Sequence, residues 1–188
     1  ATHSAGVASC ATGIAQKLNF TGKDLQQIEI AGLLHDIGKL VVPTAILCKP
    51  EKLTPDEYGV VRQHAFYTHR ILSRVRGLEQ IAEWAASHHE RLDGSGYSEN
   101  LDRLEIDLGA KIIAVADVAT AIAEDRPYRG PGDEDKVLNE LWRMADRGKL
   151  EVSVVGTLAE HYEEIMTEVH LVQLMDKERY TQRYATID

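Results

Sequence analysis

Apolar side chains recur at every third or fourth position through most of the chain, which is the spacing of one buried helical face. Val7, Ala11, Ile14 and Leu18 show this spacing near the start of the sequence. Few segments alternate between apolar and polar residues, so the pattern does not favour strands. The predicted helices cover residues 2–19, 23–34, 55–76, 78–89, 108–124, 133–147 and 152–167. We therefore predict an all-α fold in a single compact domain.

Gly, Pro and polar residues mark where the predicted helices begin and end. Thr54, followed by Pro55 and by a glutamate three positions after it, has the arrangement of a capping box at a helix start. Residues 91–107 contain several turn-forming residues, and ordered loops of this length tend to be functional. Residues 170–188 are polar and only weakly periodic. We therefore divide the chain into a domain over residues 1–169 and a C-terminal tail or helix over 170–188.

The composition narrows the class of protein and of partner. The 188 residues are 44% hydrophobic and 27% charged, as expected of a globular domain with its own core. The formal net charge of −9 argues against a nucleic-acid polymer as partner, so a phosphate ligand would need local cations. No apolar run approaches the roughly 20 residues that span a bilayer, so we expect no membrane contact within this chain.

The cysteines and the first residues bear on location. Cys10 and Cys48 do not have CxxC spacing, which favours a reducing compartment over a disulfide framework. The start at Ala1 has neither an initiator methionine nor the basic segment of a signal peptide, so it resembles a chain cut from something longer or lacking its start. We expect the protein to be cytoplasmic.

A histidine and a carboxylate stand side by side at the end of the second predicted helix, as His35 and Asp36. Both side chains are good ligands for divalent metals. Adjacent helical residues point about 100° apart, so the pair suits a metal centre at the end of a helix. Gly38 can let the helix end, and Lys39 would then place a cation near a bound phosphate. A lone His-Asp pair is a weak signal, so its partners decide its meaning.

The chain supplies such partners. Six of its eight histidines fall in the first 89 residues, at His3, His35, His64, His69, His88 and His89. His88 and His89 repeat the arrangement of two adjacent ligands at a helix end. Two adjacent pairs suit two ions better than one, and a two-metal site with ions roughly 3.5–4 Å apart can hold a phosphodiester and activate water.

Asp117 lies in the middle of a strongly apolar predicted helix, where an unpaired carboxylate is costly. It is either a metal ligand, which we favour, or a cap or a salt-bridge partner of a residue such as Lys111 or Arg126. For His3 and His64, spacing alone leaves both a ligand and a surface histidine open. We interpret His69 as structural or exposed. His161 and His170 are expected at the surface.

Taken together, the motifs resemble the HD-GYP branch of the HD phosphohydrolase superfamily, in order from His3 to about Arg129. The segments that carry the resemblance are Leu34-His35-Asp36-Ile37-Gly38-Lys39, Pro43, Ile46-Leu47, Lys49-Pro50, Leu53-Thr54, His64, His88-His89-Glu90-Arg91, Asp93-Gly94-Ser95-Gly96-Tyr97, Ala116-Asp117-Val118 and Arg126-Pro127-Tyr128-Arg129. The resemblance implies an all-helical fold with a metal centre between helices. It also implies hydrolysis of the bacterial second messenger cyclic di-GMP to linear pGpG or to GMP.

The resemblance also implies roles for individual residues. The metal ligands would be His3, His35, Asp36, His64, His88, His89 and Asp117. Asp36 would be catalytic as the bridge between two ions, and Lys39 would contact the scissile phosphate. The nucleotide would lie beside Gly94, Gly96, Tyr97, Arg126 and Arg129. Iron or manganese is expected first, with zinc, nickel or cobalt as alternatives.

Three features depart from the family pattern. The family's Gly-Tyr-Pro is here Gly96-Tyr97-Ser98, and loss of proline frees φ and returns an N–H. Thr120 replaces a second aspartate that often meets the motif lysine. The glutamate of three-metal members would precede Ala1, so a third metal is not excluded.

Three functions therefore stand at this point. The first is a cyclic di-GMP phosphodiesterase, and the second is an HD-type hydrolase of another nucleotide or phosphate ester. The third is a catalytically impaired module that binds cyclic di-GMP or a protein. A homodimer, or a fused or partner sensor domain, stays open in each case.

Overall fold

The computed structural model describes residues 2–124 and 132–184, which form ten α-helices, two 3-10 turns and no strand. The predicted all-α fold is thus confirmed. The 3-10 turns are Ile37–Val41 and Ser87–His89. The helices are α1 Thr2–Lys17, α2 Gly22–Leu34, α3 Thr44–Leu47, α4 Pro55–Arg62, α5 His64–Leu72, α6 Glu79–Ala86, α7 Leu108–Ala123, α8 Glu134–Asp146, α9 Val152–Glu160 and α10 Tyr162–Tyr184.

The central helix is α7, as its apolar sequence predicts. Ile112, Ile113 and Val115 are fully buried, and α1, α6, α8 and α9 pack around this helix. On its other sides α1 contacts α2 and α10. Because most of α7 is buried, a charged side chain in its middle needs partners inside the protein.

The helix predicted over residues 55–76 is in fact two helices. It begins as predicted, with the Thr54 hydroxyl accepting from the N–H of Glu57 and the Glu57 carboxylate accepting from the N–H of Thr54. It ends at Arg62 because the His64 ring donates to the carbonyl of Val61, which a continuous helix would offer to the N–H of residue 65. Periodicity does not register such competition by a side chain.

Two other helix predictions also differ from the structure. The helix predicted over 78–89 ends at Ala86 and continues as the 3-10 turn that carries the two adjacent histidines. The helix predicted over 152–167 breaks at His161, after which Ile165 and Val169 are buried where α10 packs against α1. Residues 170–184 continue α10 without a break. Among the described residues no helix has both the length and the apolar character needed to cross a bilayer.

Candidate metal centre

The seven residues predicted as metal ligands lie in one connected cluster. They form three sets that share members, and within each set the possible ligand atoms lie within 4.8 Å of one another. The sets are His64, His88 and His89; His3, His35 and Asp117; and His35, Asp36 and His88. The fold thus joins, in one place, the ends of α2 and α6, the starts of α1 and α5, and the middle of α7.

Three histidines are held in the same way. The Nδ1 atoms of His35, His64 and His88 donate to the carbonyls of the residues three positions earlier, at 2.7, 2.7 and 2.6 Å. Each acceptor lies in the last turn of the preceding helix. The Nε2 atoms are therefore the lone-pair atoms, and all three are buried without a hydrogen-bond partner. Such orphaned nitrogens are costly in a protein interior, and their chemistry fits a bound metal.

Asp36 lies between these rings. Its Oδ1 atom is 3.3 Å from Nε2 of His64, and its Oδ2 atom is 3.4 Å from Nε2 of His35. The ammonium of Lys39 is 2.5 Å from Oδ2. Burial alone would raise the pKa of Asp36, but the close contact with the His35 ring and the nearby ammonium of Lys39 hold that pKa well below its usual range. A carboxylate with its two oxygens facing different histidines can bridge two ions.

Asp117 pairs with His3. Nε2 of His3 is 3.1 Å from Oδ1 of Asp117, which also lies 3.8 Å from Nε2 of His35. Burial opposes both charges, yet the hydrogen bonds with Asp117 and Glu124 raise the pKa of His3 to about 9, and the bond with His3 keeps the pKa of Asp117 low. Lys111, the alternative partner weighed from the sequence, lies 4.0 Å from Glu151. His3 is therefore the positively charged partner of Asp117 in this structure.

The set formed by His64, His88 and His89 consists of neutral imidazoles. Burial lowers the pKa of His89 to about 3, and burial also lowers the pKa of His64 and His88. The rings of His88 and His89 are 3.9 Å apart between centroids, and those of His64 and His89 are 5.1 Å apart. Because metal ligation requires a neutral imidazole, these three rings are ready to bind near neutral pH.

The segment after the His-Asp pair is fastened to α5 through Gly38 and Thr68. The N–H of Gly38 donates to the Thr68 hydroxyl at 3.0 Å, and that hydroxyl donates to the carbonyl of His35, also at 3.0 Å. A Cβ atom on Gly38 would lie 2.0 Å from the carbonyl oxygen of His64, so the two backbones approach too closely for any side chain. Thr68 could not be singled out from the sequence, since one threonine in a helix carries no distinctive signal.

Glu90 organises the loop that follows the two adjacent histidines. Only 3% of the residue is exposed, and its carboxylate accepts from the N–H groups of Glu99, Asn100 and Leu101 at 2.8–3.2 Å. In the sequence, Glu90 belongs to the motif that follows the two histidines but has no predicted role. Hydrogen bonds to residues nine to eleven positions away have no periodic signature.

This loop brings Tyr97 to the edge of the cluster. The ring of Tyr97 is 4.7 Å from that of His89, and Arg62 stacks over it at 4.4 Å. Burial raises the pKa of Tyr97, so the phenol keeps its proton. Gly94 closes a turn by donating to Arg91, and Gly96 packs against the backbone of the same stretch. A cleft of about 500 Å³ opens here, lined by Arg62, Gln63, Phe66, Tyr67, Tyr97 and Ser98.

Other predicted residues have different outcomes. Thr120 is fully buried on α7, and the ammonium of Lys39 contacts Asp36. Arg126 and Arg129 lie outside the described residues. On the side of Asp117, a cleft of about 980 Å³ runs between α7 and α8. The histidines outside the cluster, His69, His161 and His170, are partly or well exposed. The ring of His69 contacts the carboxylate of Glu83.

Comparison with known proteins identifies the family. The HD domain family matches residues 2–154 of the chain. The 3'3'-cGAMP-specific phosphodiesterase 1 of Vibrio cholerae is 39% identical over 156 residues, which cover 83% of this chain and 36% of that protein. The cyclic di-GMP phosphodiesterase of Thermotoga maritima is 40% identical over 139 residues, or 73% of this chain and 37% of that protein.

One solved structure shows the same fold. Bd1817, described as an HDG"Y"P protein from Bdellovibrio bacteriovorus, superposes with a TM-score of 0.65 at 20% identity, covering 86% of this chain and 51% of that one. The chain spans a little over a third of the length of the two curated relatives. The resemblance seen in the sequence motifs is confirmed, and the chain belongs to the HD domain family.

Proposed function

We propose that this chain is a metal-dependent phosphodiesterase domain that hydrolyses cyclic di-GMP to linear pGpG or GMP. The observation that carries the proposal is a set of three buried, unpartnered Nε2 atoms, two of which lie 3.3–3.4 Å from the two oxygens of Asp36. The names of the two curated relatives, which are both cyclic dinucleotide phosphodiesterases, supply the substrate class.

The ligand groups divide into two sides. His3, His35 and Asp117 would hold one ion; His64, His88 and His89 would hold the other, with Asp36 between them. Imidazole and carboxylate suit iron and manganese as well as zinc, nickel and cobalt, and no thiolate is in the cluster to favour a softer metal. When bound, such a pair supplies a water of lowered pKa and positive charge against the phosphate.

Lys39 is placed to act on the substrate. Its ammonium touches Asp36, yet 40% of its side chain is exposed, so it reaches both the ligand cluster and solvent. We assign it two tasks: to neutralise charge on the scissile phosphate and to give its Nζ proton to the leaving oxygen. Because its pKa is low, Asp36 stays ionised, and its negative charge holds Lys39 beside the cluster.

The nucleotide would occupy the space beside the cluster. The cleft next to Tyr97 is lined by aromatic rings and Arg62, groups on which bases stack. We propose that one base enters there, with Gly94 and Gly96 shaping the loop. Arg126 and Arg129 are proposed phosphate or base contacts on the strength of the motif alone.

A mixed cyclic dinucleotide is the second candidate substrate. The Vibrio cholerae relative specific for 3'3'-cGAMP matches 83% of this chain at 39% identity, about as closely as the cyclic di-GMP phosphodiesterase matches. Both substrates present the same phosphodiester to the same ligand cluster. They differ only in one base.

Metal analysis of anaerobically purified protein, followed by chromatography of the products from both dinucleotides, tests the proposal. We expect about two ions per chain and cleavage of at least one substrate. Asp36→Ala should lose metal and turnover while its circular dichroism stays helical. His69→Ala, outside the cluster, is the matched control. Normal turnover by Asp36→Ala would refute the mechanism, and binding without cleavage by wild type would favour a sensor module.

A further inference from the structure

His3 is oriented differently from the other three histidines described above. His35, His64 and His88 each use a carbonyl three residues earlier, at the end of a helix. His3 lies in the first turn of α1, and its Nε2 atom faces Asp117 at 3.1 Å. Its Nδ1 atom contacts a side chain from another part of the fold.

That partner is a carboxylate at the end of α7. The two oxygens of Glu124 lie 3.0 and 3.1 Å from Nδ1 of His3. Glu124 is in turn held by Gln173 on α10, whose amide Nε2 donates to Oε1 at 2.7 Å. The chain of contacts His3–Glu124–Gln173 therefore links α1, α7 and α10, with residues 121 and 49 positions apart along the sequence.

Gly6 keeps open the space that Gln173 occupies. A Cβ atom at Gly6 would lie 2.4 Å from Nε2 of Gln173 and 2.9 Å from the methyl carbon of Thr120. The amide of Gln173 thus runs over the backbone of α1, one turn beyond His3, to reach Glu124. The small residue in α1 and the long one in α10 are complementary in shape.

We infer that Glu124 and Gln173 are positioning residues that fix the ring of His3, so that its Nε2 atom is presented to the ion held with His35 and Asp117. A carboxylate on the outer nitrogen of a histidine ligand sets its orientation and strengthens it as a ligand, and loss of such a partner typically costs about 10–100-fold in metal affinity. The inference rests on the proposed metal centre. It extends that centre to the C-terminal helix.

The test compares metal binding by wild type with binding by Glu124→Ala, Gln173→Leu and Gly6→Ala. The matched control is Gln182→Leu, an exposed position on the same helix. Titration with Mn²⁺ should show two ions in wild type and in the control. In the first two variants one ion should bind about 10–100-fold more weakly while the other is unchanged. Gly6→Ala should do the same by displacing the Gln173 amide, with its thermal unfolding showing that the fold persists.

A spectroscopic measurement separates positioning from general loosening. In zinc-loaded protein labelled with ¹⁵N, the Nδ1 proton of His3 should be protected from exchange in wild type and exchange rapidly in Glu124→Ala. Glu124→Gln, which keeps an acceptor, should restore part of the protection and of the affinity.

Two results would separate the inference from the function. If every variant binds both ions with the same affinities as wild type, the positioning role would be overturned and the proposed hydrolysis would be left intact. If the variants bind one ion more weakly but the wild-type protein cleaves no cyclic dinucleotide, the positioning role would be upheld and the proposed function refuted.

Discussion

Replacement of Thr68 by valine tests how the metal centre is fastened to the core. The Thr68 hydroxyl is fully buried and makes two hydrogen bonds, one from the N–H of Gly38 and one to the carbonyl of His35. Valine has almost the same shape but neither donates nor accepts. The substitution therefore removes both bonds without opening a cavity.

The expected magnitude follows from the groups left behind. A buried N–H or carbonyl without its partner costs about 1–3 kcal/mol. For two such groups, with some relaxation of the 3-10 turn, we expect Thr68→Val to lower the free energy of unfolding by about 2–4 kcal/mol. In a chain of this size that corresponds to roughly 4–16 °C in Tm.

Urea unfolding of metal-free protein, followed by circular dichroism, measures this loss. Thr68→Ser is the control, because it keeps the hydroxyl and removes one methyl group, at a cost of about 1 kcal/mol. We expect the valine variant to be clearly the less stable of the two. A valine variant as stable as wild type would refute the argument that this hydroxyl joins the two segments.

Three further predictions concern the site itself. Lys39→Met should lower kcat by about 10²–10⁴-fold with metal content unchanged, because it removes the acid and not a ligand; equal turnover would contradict its role. Metal binding at pH 8 should release about one proton, because His3, with a pKa of about 9, must lose its proton to ligate; apparent affinity should therefore rise with pH up to about 9. Calorimetry in two buffers of different ionisation enthalpy checks this, and a release of zero would exclude His3 as a ligand. Glu90→Ala should speed hydrogen exchange at residues 99–101, since their amides lose a buried acceptor; unchanged exchange would show that the loop is held otherwise.

Much of the fold could be predicted from local pattern. The capping box at Thr54 and the buried helix containing Asp117 are local features of the sequence, and both occur as predicted. Two of the boundaries that failed, after Arg62 and after Ala86, lie where a histidine side chain bonds to a helix carbonyl. The spacing of hydrophobic residues carries no information about such side-chain hydrogen bonds.

The cluster of candidate ligands could be predicted from the sequence, but the residues that support it could not. His-Asp and His-His pairs at helix ends indicated a cluster, and the structure brings those residues together. Thr68, Glu124 and Gln173 could not be found, because their contacts join helices far apart in sequence and involve ordinary residue types. The ligand roles, the division of the chain at residue 169, the cytoplasmic location and any dimer or sensor domain stay predictions.

The way in which three imidazoles end the helices before them has a consequence for comparing sequences. Each ring donates a hydrogen bond to a carbonyl in the last turn of the preceding helix, so it has a structural role that is separate from turnover. In a descendant that abandoned hydrolysis, these histidines would therefore still have a structural role as helix ends. Lys39, which ends no helix and is 40% exposed, has no such second duty. Its loss is the earlier sign that a homologous domain has become catalytically silent.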